Sequence, residues 1–208
     1  MRAPGESNPQ DMTRRWGKPA GAEGDDSHGA RMDRVRRPAV AQRQAFEQIV
    51  SDHRADVTRL VQRLLAWPAD VDDVVQDVFV SAWTNLRRFD GRSSLRTWLY
   101  AIAVNRCRSH HRRRRLRQLV FGGGQDEPVD AAEPSGGAAE RERRRAVRAA
   151  VRALPRRLRE VAVLRYLQEM PIAEIADVLK LGRNAVEVRL HRARERLRPL
   201  LRDWVEED

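Results

Sequence analysis

The chain has 208 residues, which is enough for one or two small domains. Its 41 Lys and Arg against 30 Asp and Glu give a formal net charge of +11, which favours a nucleic-acid partner. A membrane surface is the competing partner, but no apolar run reaches the roughly 20 residues that span a bilayer, and the first residues do not form a secretory signal. Cys107, the single cysteine, excludes an internal disulfide and a cysteine-based zinc site. We therefore expect a cytoplasmic protein without membrane insertion.

The first 38 residues are rich in Gly, Pro, Asp, Arg and Ser and show no hydrophobic period. We expect residues 1–38 to be a disordered extension. Met32 lies just before the first periodic segment, and translation from it would leave residues 1–31 out of the native protein. Both starts are consistent with the sequence.

Two amphipathic helices are predicted next. Residues 42–65 carry apolar side chains at helical spacing, and Trp67-Pro68 ends the pattern because proline disfavours helix at the preceding residue. A second helix opens at or near Asp70, with carboxylates in its first turn, where the helix dipole favours them. Its apolar stripe consists of Val71, Val74, Val75, Val78, Phe79, Ala82, Trp83 and Leu86. The opposite side carries Asp73, Gln76, Asp77 and Val80.

A third helix changes from apolar to basic along its length. It follows a loop whose serines can cap it, made of Phe89, Asp90, Gly91, Arg92, Ser93 and Ser94. Leu95, Trp98, Leu99 and Ile102 point inward, whereas residues 105–117 contain seven arginines and no carboxylate. Such segregation of charge indicates two different partners, a basic protein surface and a polyanion. The three helices form one predicted domain, residues 39–117.

A second helical domain follows an acidic linker. Residues 118–139 contain three consecutive glycines, two prolines and four acids without a base, which predicts flexibility. Helical periodicity resumes at Glu140 and continues to the end of the predicted domain, residues 140–208. Because no stretch alternates with period two, the predicted fold is all-α, with two small helical domains joined by the flexible acidic linker.

The segment 172–194 has the form of a helix-turn-helix, with a turn at Lys180-Leu181-Gly182 before a longer basic helix. Arginines and an asparagine on that helix suit contacts to phosphates and base edges. The residues expected to contact DNA are Arg183, Asn184, Glu187, Val188, Arg189 and Arg192. The alternative is an ordinary helical hairpin with a solvated arginine face.

Metal binding and catalysis have no candidate site in the sequence. The adjacent residues His110 and His111 point in different directions on a helix, and no third ligand accompanies them. No nucleophile–base pair, carboxylate pair or phosphate-cradling loop is present. We expect neither an enzyme nor a cofactor.

Two blocks of sequence resemble the extracytoplasmic-function (ECF) sigma factors of bacterial RNA polymerase. The segments 68–79, 88–99 and 103–106, which read PADVDDVVQDVF, RFDGRSSLRTWL and AVNR, are similar to region 2 of that family. The segments 153–165, 174–179 and 188–197, which read ALPRRLREVAVLR, EIADVL and VRLHRARERL, are similar to region 4. Both blocks occur in the family's order, with a linker between them.

The resemblance implies a role for each surface. Asp73, Gln76, Asp77 and Val80 match the face that docks on the β′ clamp helices of core polymerase. The loop from Phe89 to Ser94, with Asn105, Arg106, Arg112 and Arg113, matches the elements that melt and read the −10 promoter element as a single strand. The helix-turn-helix matches the reader of the −35 duplex, and the β flap of core polymerase is a further expected contact. The linker would thread the polymerase cleft along the RNA path, and an anti-sigma protein is the expected regulator.

This sequence departs from the family pattern at a few positions. Lys180 stands where a glycine is usual, and a left-handed conformation there would cost about 1 kcal/mol. Ala185 and Glu187 replace a threonine and a lysine, and Ser109 replaces an aspartate. These changes leave the fold intact but put the preferred −35 sequence in doubt.

Two other classes of function compete with a sigma factor. A free-standing helix-turn-helix regulator would need only the C-terminal half, and the acidic helix argues against it because such a protein has no use for that surface. A nucleic-acid enzyme would need a catalytic constellation that the sequence lacks.

Overall fold

A computed structural model describes residues 39–65, 70–121 and 137–202, and all regular secondary structure in these ranges is helical. The helices are α1 (Ala39–Leu64), α2 (Val71–Asn85), α3 (Leu95–Phe121), α4 (Ala138–Ala153), α5 (Arg156–Ala162), α6 (Ile172–Leu179) and α7 (Arg183–Leu197). Short 3-10 turns follow α2 and α7, and a π-helical turn, Val163–Leu167, extends α5. The prediction of an all-α fold is confirmed.

Some predicted segments lie partly or wholly outside the described residues. The expected disordered extension, residues 1–38, is one of them, and so are residues 122–136 of the expected linker. α3 continues to Phe121 and α4 begins at Ala138, so the two ends of the predicted linker are helical. α3 extends into the predicted linker because residues such as Gln118 and Leu119 favour helix, and the glycines that can end a helix begin only at Gly122.

Helices α1, α2 and α3 form a three-helix unit, the N-terminal unit. Its fully buried side chains come from all three helices, as in Leu60 of α1, Val78 of α2 and Leu99 of α3. The predicted stripe of α2 is buried from Val71 to Ala82, but Trp83 remains 42% exposed, which corrects its assignment to the interior. Trp83 lies five residues after Val78, about 140° around the helix, and therefore at the edge of the stripe.

Helices α4 to α7 form the C-terminal unit, in which α6, a short turn and α7 make the predicted helix-turn-helix. Ile175 and Ala176 of α6 and Val186 of α7 are buried at its corner. Lys180 ends α6 in the left-handed conformation, with φ 55°, and Leu181 N–H donates to the Ala176 carbonyl. This hydrogen bond satisfies a carbonyl at the helix end, which explains why the turn needs a left-handed residue.

The two units pack against each other and share one hydrophobic cluster. Leu99 and Val104 of the N-terminal unit and Leu164 and Ile175 of the C-terminal unit belong to it, and all four are buried. α3 provides the central contact, since it packs on α1 and α2 and also on α6. None of the described helices combines the length and apolar character needed to cross a membrane.

We predict that Lys180→Gly stabilises the protein by about 1 kcal/mol, because glycine adopts the left-handed conformation without the steric cost of a Cβ atom. Lys180→Ala is the matched control, since it removes the same side chain but retains the Cβ. Urea denaturation of the three proteins measures the difference. A Lys180→Ala variant as stable as Lys180→Gly would show that the side chain, not the backbone, sets the stability of this turn.

Candidate protein- and nucleic-acid-binding surfaces

The acidic surface of α2 faces solvent. Asp73, Gln76, Asp77 and Val80 are all exposed, and the side chain of Val80 is 58% exposed although it is apolar. Burial of Val74 and Val78 on the other side fixes this orientation. The surface therefore presents two carboxylates and an exposed valine on one side of α2.

An apolar cleft of about 610 Å³ borders this acidic surface, between α1 and α2. Its lining includes Phe46 and Val50 of α1 together with Gln76, Val80 and Trp83 of α2. The rings of Phe46 and Trp83 meet edge to face, with centroids 5.0 Å apart. Sequence reasoning missed the cleft because it assigned both aromatic residues to the interior. The exposed edge of Trp83 makes this region a candidate for protein contact.

The loop before α3 is held in one shape by its own side chains. Phe89 packs on Trp98 with ring centroids 5.0 Å apart. Asp90 accepts a hydrogen bond from the backbone N–H of Arg92 at 3.2 Å and pairs with its side chain at 2.9 Å, across Gly91 with φ 73°. Ser94 Oγ accepts from Thr97 N–H at 3.1 Å, which is the predicted cap of α3. The loop is therefore preformed, with Asp90, Gly91 and Arg92 exposed.

The basic half of α3 divides into exposed and engaged arginines. Arg112 and Arg113 are exposed, and Asn105 and Arg106 are partly buried. Arg114 differs from both sets, because its Nη1 lies 3.2 Å from Asp70 Oδ2, at the start of α2. The predicted polyanion surface is thus carried by part of the arginine run, and Arg114 joins α3 to α2.

Two histidines in this run have structural partners. His110 Nε2 lies 3.3 Å from Asp70 Oδ2, and His111 Nε2 lies 3.3 Å from the carbonyl oxygen of Leu64. Burial lowers the pKa of both imidazoles; Asp70 opposes this shift at His110, and the hydrogen bond to Leu64 opposes it at His111. Among the described residues, no group of three or more His, Cys, Asp or Glu side chains is placed to hold a metal ion.

The second helix of the helix-turn-helix, α7, is anchored on one side and open on the other. Val186, Leu190 and Ala193 are buried. The predicted DNA-contacting residues Arg183, Asn184, Glu187, Val188 and Arg192 are exposed, and Arg189 is partly exposed. These residues are distributed around the part of α7 that lies outside the buried stripe, where a DNA groove can reach them.

The structure therefore carries the three predicted surfaces on three different helices: an acidic one on α2, a loop with a basic helix on α3, and a basic one on α7. The first two belong to the N-terminal unit and the third to the C-terminal unit. Sequence reasoning missed a further set of polar residues that join the two units. These are Thr97, Tyr100, Arg108, Glu160, Gln168 and Glu174.

Comparison with known proteins assigns both units. The family model described as Sigma-70 region 2 matches residues 49–117, and the model described as Sigma-70, region 4 matches residues 144–197. The RNA polymerase sigma factor CnrH of Cupriavidus metallidurans is 37% identical over 174 residues, which cover 78% of this chain and 90% of CnrH. The ECF RNA polymerase sigma-E factor of Escherichia coli is 33% identical over 189 residues, covering 81% of this chain and 94% of that protein.

The chain belongs to the ECF sigma factors of the sigma-70 family. A solved structure of CnrH in complex with the cytosolic domain of CnrY is similar to this sigma factor, with a TM-score of 0.62 at 31% identity, covering 86% of this chain and 99% of that chain. The acidic surface and the loop fall within region 2 of the sigma factor, and α7 falls within region 4. A free-standing helix-turn-helix regulator does not account for the region 2 match.

We predict that Ser94→Ala lowers the free energy of unfolding of this sigma factor by about 1 kcal/mol, since it removes the cap of α3. Ser93→Ala is the control, because this neighbouring serine lies outside the capping position. Thermal melts followed by circular dichroism compare the two variants. Equal effects at both positions would contradict the capping role of Ser94.

Proposed function

We propose that this sigma factor binds core RNA polymerase through the acidic surface of α2 and directs initiation at promoters with −10 and −35 elements. The observation that carries the proposal is the separation of an acidic surface in region 2 from basic surfaces on α3 and α7. Sigma factors are transcription initiation factors, so the chain would act by binding rather than catalysis, in the bacterial cytoplasm and without a cofactor.

Contact with polymerase is supported by the chemistry of the α2 surface. Asp73 and Asp77 present two carboxylates to solvent, and Gln76 and Val80 lie between and beside them at the mouth of the apolar cleft. A basic, partly apolar helix pair such as the β′ clamp helices would complement it in charge and shape. The C-terminal unit would add a second contact on the β flap.

Reading of the −10 element is supported by the loop at Phe89–Ser94 and the exposed basic part of α3. Single-strand recognition requires a surface for an unstacked base and positive charge along the backbone. The ordered loop, together with Asn105 and Arg106 of α3, would provide the surface for the base. Arg112 and Arg113 would provide the positive charge. The −35 duplex would be read by α7, whose exposed side carries Arg183, Asn184, Glu187, Val188, Arg189 and Arg192.

Regulation by an anti-sigma factor is part of the proposal. CnrH, a relative with 31% identity in the structural comparison, was solved in complex with the cytosolic domain of CnrY. We propose that a protein of comparable role covers the polymerase-binding surface of this sigma factor. Val80 and Trp83 are exposed apolar residues, and we expect them to lie at the centre of the interface with the anti-sigma factor.

Reversing the charge of the α2 surface with Asp73→Lys and Asp77→Lys should weaken binding to core polymerase about tenfold or more, because like charges would then face each other across the interface. Helical content should not change, since both side chains are exposed. Glu142→Lys with Glu195→Lys is the matched control, an equal charge change on exposed residues of the C-terminal unit. Titration of labelled core polymerase measures the affinities. Undiminished binding by the folded α2 variant would refute the proposed docking surface.

The two basic surfaces should differ in what they recognise. Arg189→Ala should reduce discrimination at one −35 position by about 1–3 kcal/mol if the contact is bidentate. Replacing Arg112 and Arg113 with Gln should instead weaken binding to all promoters and lower the salt dependence by about one unit per lost phosphate contact. Arg114 is excluded from this pair because it is engaged with Asp70.

Fork-junction and duplex promoter fragments, titrated with the polymerase holoenzyme at several salt concentrations, would separate these effects. Arg198→Ala, an exposed arginine beyond the end of α7, is the control for the loss of one charge. Altered base preference in the Arg112 and Arg113 variant, with a uniform loss of affinity in Arg189→Ala, would show that the roles are reversed.

A further inference from the structure

The cleft between α1 and α2 combines an apolar lining with one acidic wall. Phe46 of α1 and Trp83 of α2 supply apolar surface, and the Trp83 side chain remains 42% exposed. α2 contains three aspartates and no basic residue between Val71 and Asn85. A ligand that fits this cleft would therefore present an apolar group to the aromatic rings and positive charge to α2.

The charges on the α1 wall leave the aromatic end of the cleft close to neutral on that side. Arg43 and Glu47 pair with each other at 3.1 Å. Arg54 also lines the cleft, but it follows Phe46 by eight residues, which is about 12 Å along the helix axis. The strongest unbalanced charge near Phe46 and Trp83 is therefore the negative charge of α2.

The N-terminal extension, residues 1–38, joins the described structure at the aromatic end of this cleft. α1 begins at Ala39, and Phe46 follows seven residues later, about 10 Å along the helix axis. The ring of Phe46 meets the ring of Trp83 there. A segment of the extension that folds back along α1 would thus reach the cleft directly.

One segment of the extension has the composition that the cleft requires. Residues 13–18 read TRRWGK, and we call them the basic Trp segment. Trp16 is the one aromatic residue among residues 1–38, and Arg14, Arg15 and Lys18 flank it. Tryptophan and arginine are the residues that most often dominate the energetics of protein contacts. An indole ring packs favourably on other aromatic rings, and arginine pairs with carboxylates.

The chain between the basic Trp segment and α1 is long enough for this contact. Residues 19–38 lie between them, and a random chain of about 20 residues spans about 25 Å on average, more than the distance from Ala39 to Phe46. A tether of this kind supplies an effective concentration of about 1 mM. A contact with an intrinsic dissociation constant of about 0.1 mM would then be formed in about nine molecules of ten.

We propose that the basic Trp segment binds the cleft of its own chain, with Trp16 on Phe46 and Trp83, and so competes with core polymerase for the acidic surface of α2. The arginines of the segment face Asp73 and Asp77. This inference rests on the proposed function, because it concerns the same surface. A second copy of the chain carries the same segment, but in a micromolar solution it meets the cleft at a concentration far below that of the tethered segment.

Disulfide exchange in the full chain measures the contact without polymerase. Gly17→Cys places a thiol beside Trp16, and Gln76→Cys places one on the exposed α2 wall of the cleft. Gly17→Cys with Gln48→Cys is the matched control, since Gln48 is exposed on α1 but does not line the cleft. Cys107 can remain, because burial raises the pKa of its thiol to about 12 and keeps it protonated.

In glutathione buffers the cleft pair should show an effective concentration at least about fivefold above that of the control pair. Adding Trp16→Ala should make the two pairs equal, because the aromatic anchor is lost. Equal values with Trp16 present would overturn the inference. A disulfide between two chains that increases with protein concentration would also overturn it, because a second copy would then be the occupant.

Titration of labelled core polymerase measures the competition. Trp16→Ala should tighten binding about two- to tenfold, because the fraction of protein with a free α2 surface rises. A chain started at Met32 lacks the segment and should bind equally tightly. Val35→Ala, which shortens an apolar side chain of the extension outside the segment, is the control and should change nothing. Unchanged or weaker binding by Trp16→Ala would contradict the competition.

Failure of the proposed function has a different signature. Asp73→Lys with Asp77→Lys should abolish the preference for the cleft pair in disulfide exchange and also weaken binding to polymerase. If the preference were lost while polymerase binding stayed undiminished, the intramolecular contact would stand and the proposed docking surface would fail.

Discussion

The structure depends on α3, the helix of the N-terminal unit that also packs on the C-terminal unit. One side of this helix, at Leu99 and Ala103, is buried among the apolar residues of the shared cluster. Another side of α3 carries polar residues that follow one another along the helix and face the C-terminal unit. They are Thr97, Tyr100, Arg108 and His111. The same helix continues the loop proposed to read the −10 element. Promoter reading and domain packing are therefore built on a single element.

The energetics of this arrangement favour a specific but reversible contact. The Arg108–Glu160 pair joins a partly exposed guanidinium to a buried carboxylate, and desolvation of the carboxylate offsets much of their attraction. Removing one partner is costly, since the other charge stays buried. The hydrogen bond to Glu160 raises the pKa of Arg108, which keeps this guanidinium charged. Such contacts fix the register of the two units without making their association permanent.

Local features of the fold could be predicted from the sequence because their causes are local. The stripe of α2 followed from helical periodicity and the cap at Ser94 from its position before an apolar run, whereas the left-handed Lys180 followed from the glycine that is usual there in the family. Contacts between distant residues could not be predicted in this way. The pairing of Arg114 with Asp70 spans 44 positions, and nothing in a run of arginines shows which one is engaged. The packing of the two units was also missed because it joins residues that are far apart in the sequence. One sign of it was present: Glu160 is followed by four apolar residues, Val161 to Leu164, which is a pattern that can indicate a buried acid.

The most direct measurement is a cryo-electron microscopy structure of the full chain bound to core polymerase and a promoter containing both elements. We predict that Asp73 and Asp77 contact a basic surface of the polymerase and that α7 lies in the major groove of the −35 element. A complex in which the α2 surface faces solvent, or in which α7 does not touch the −35 element, would contradict the proposed mode of binding.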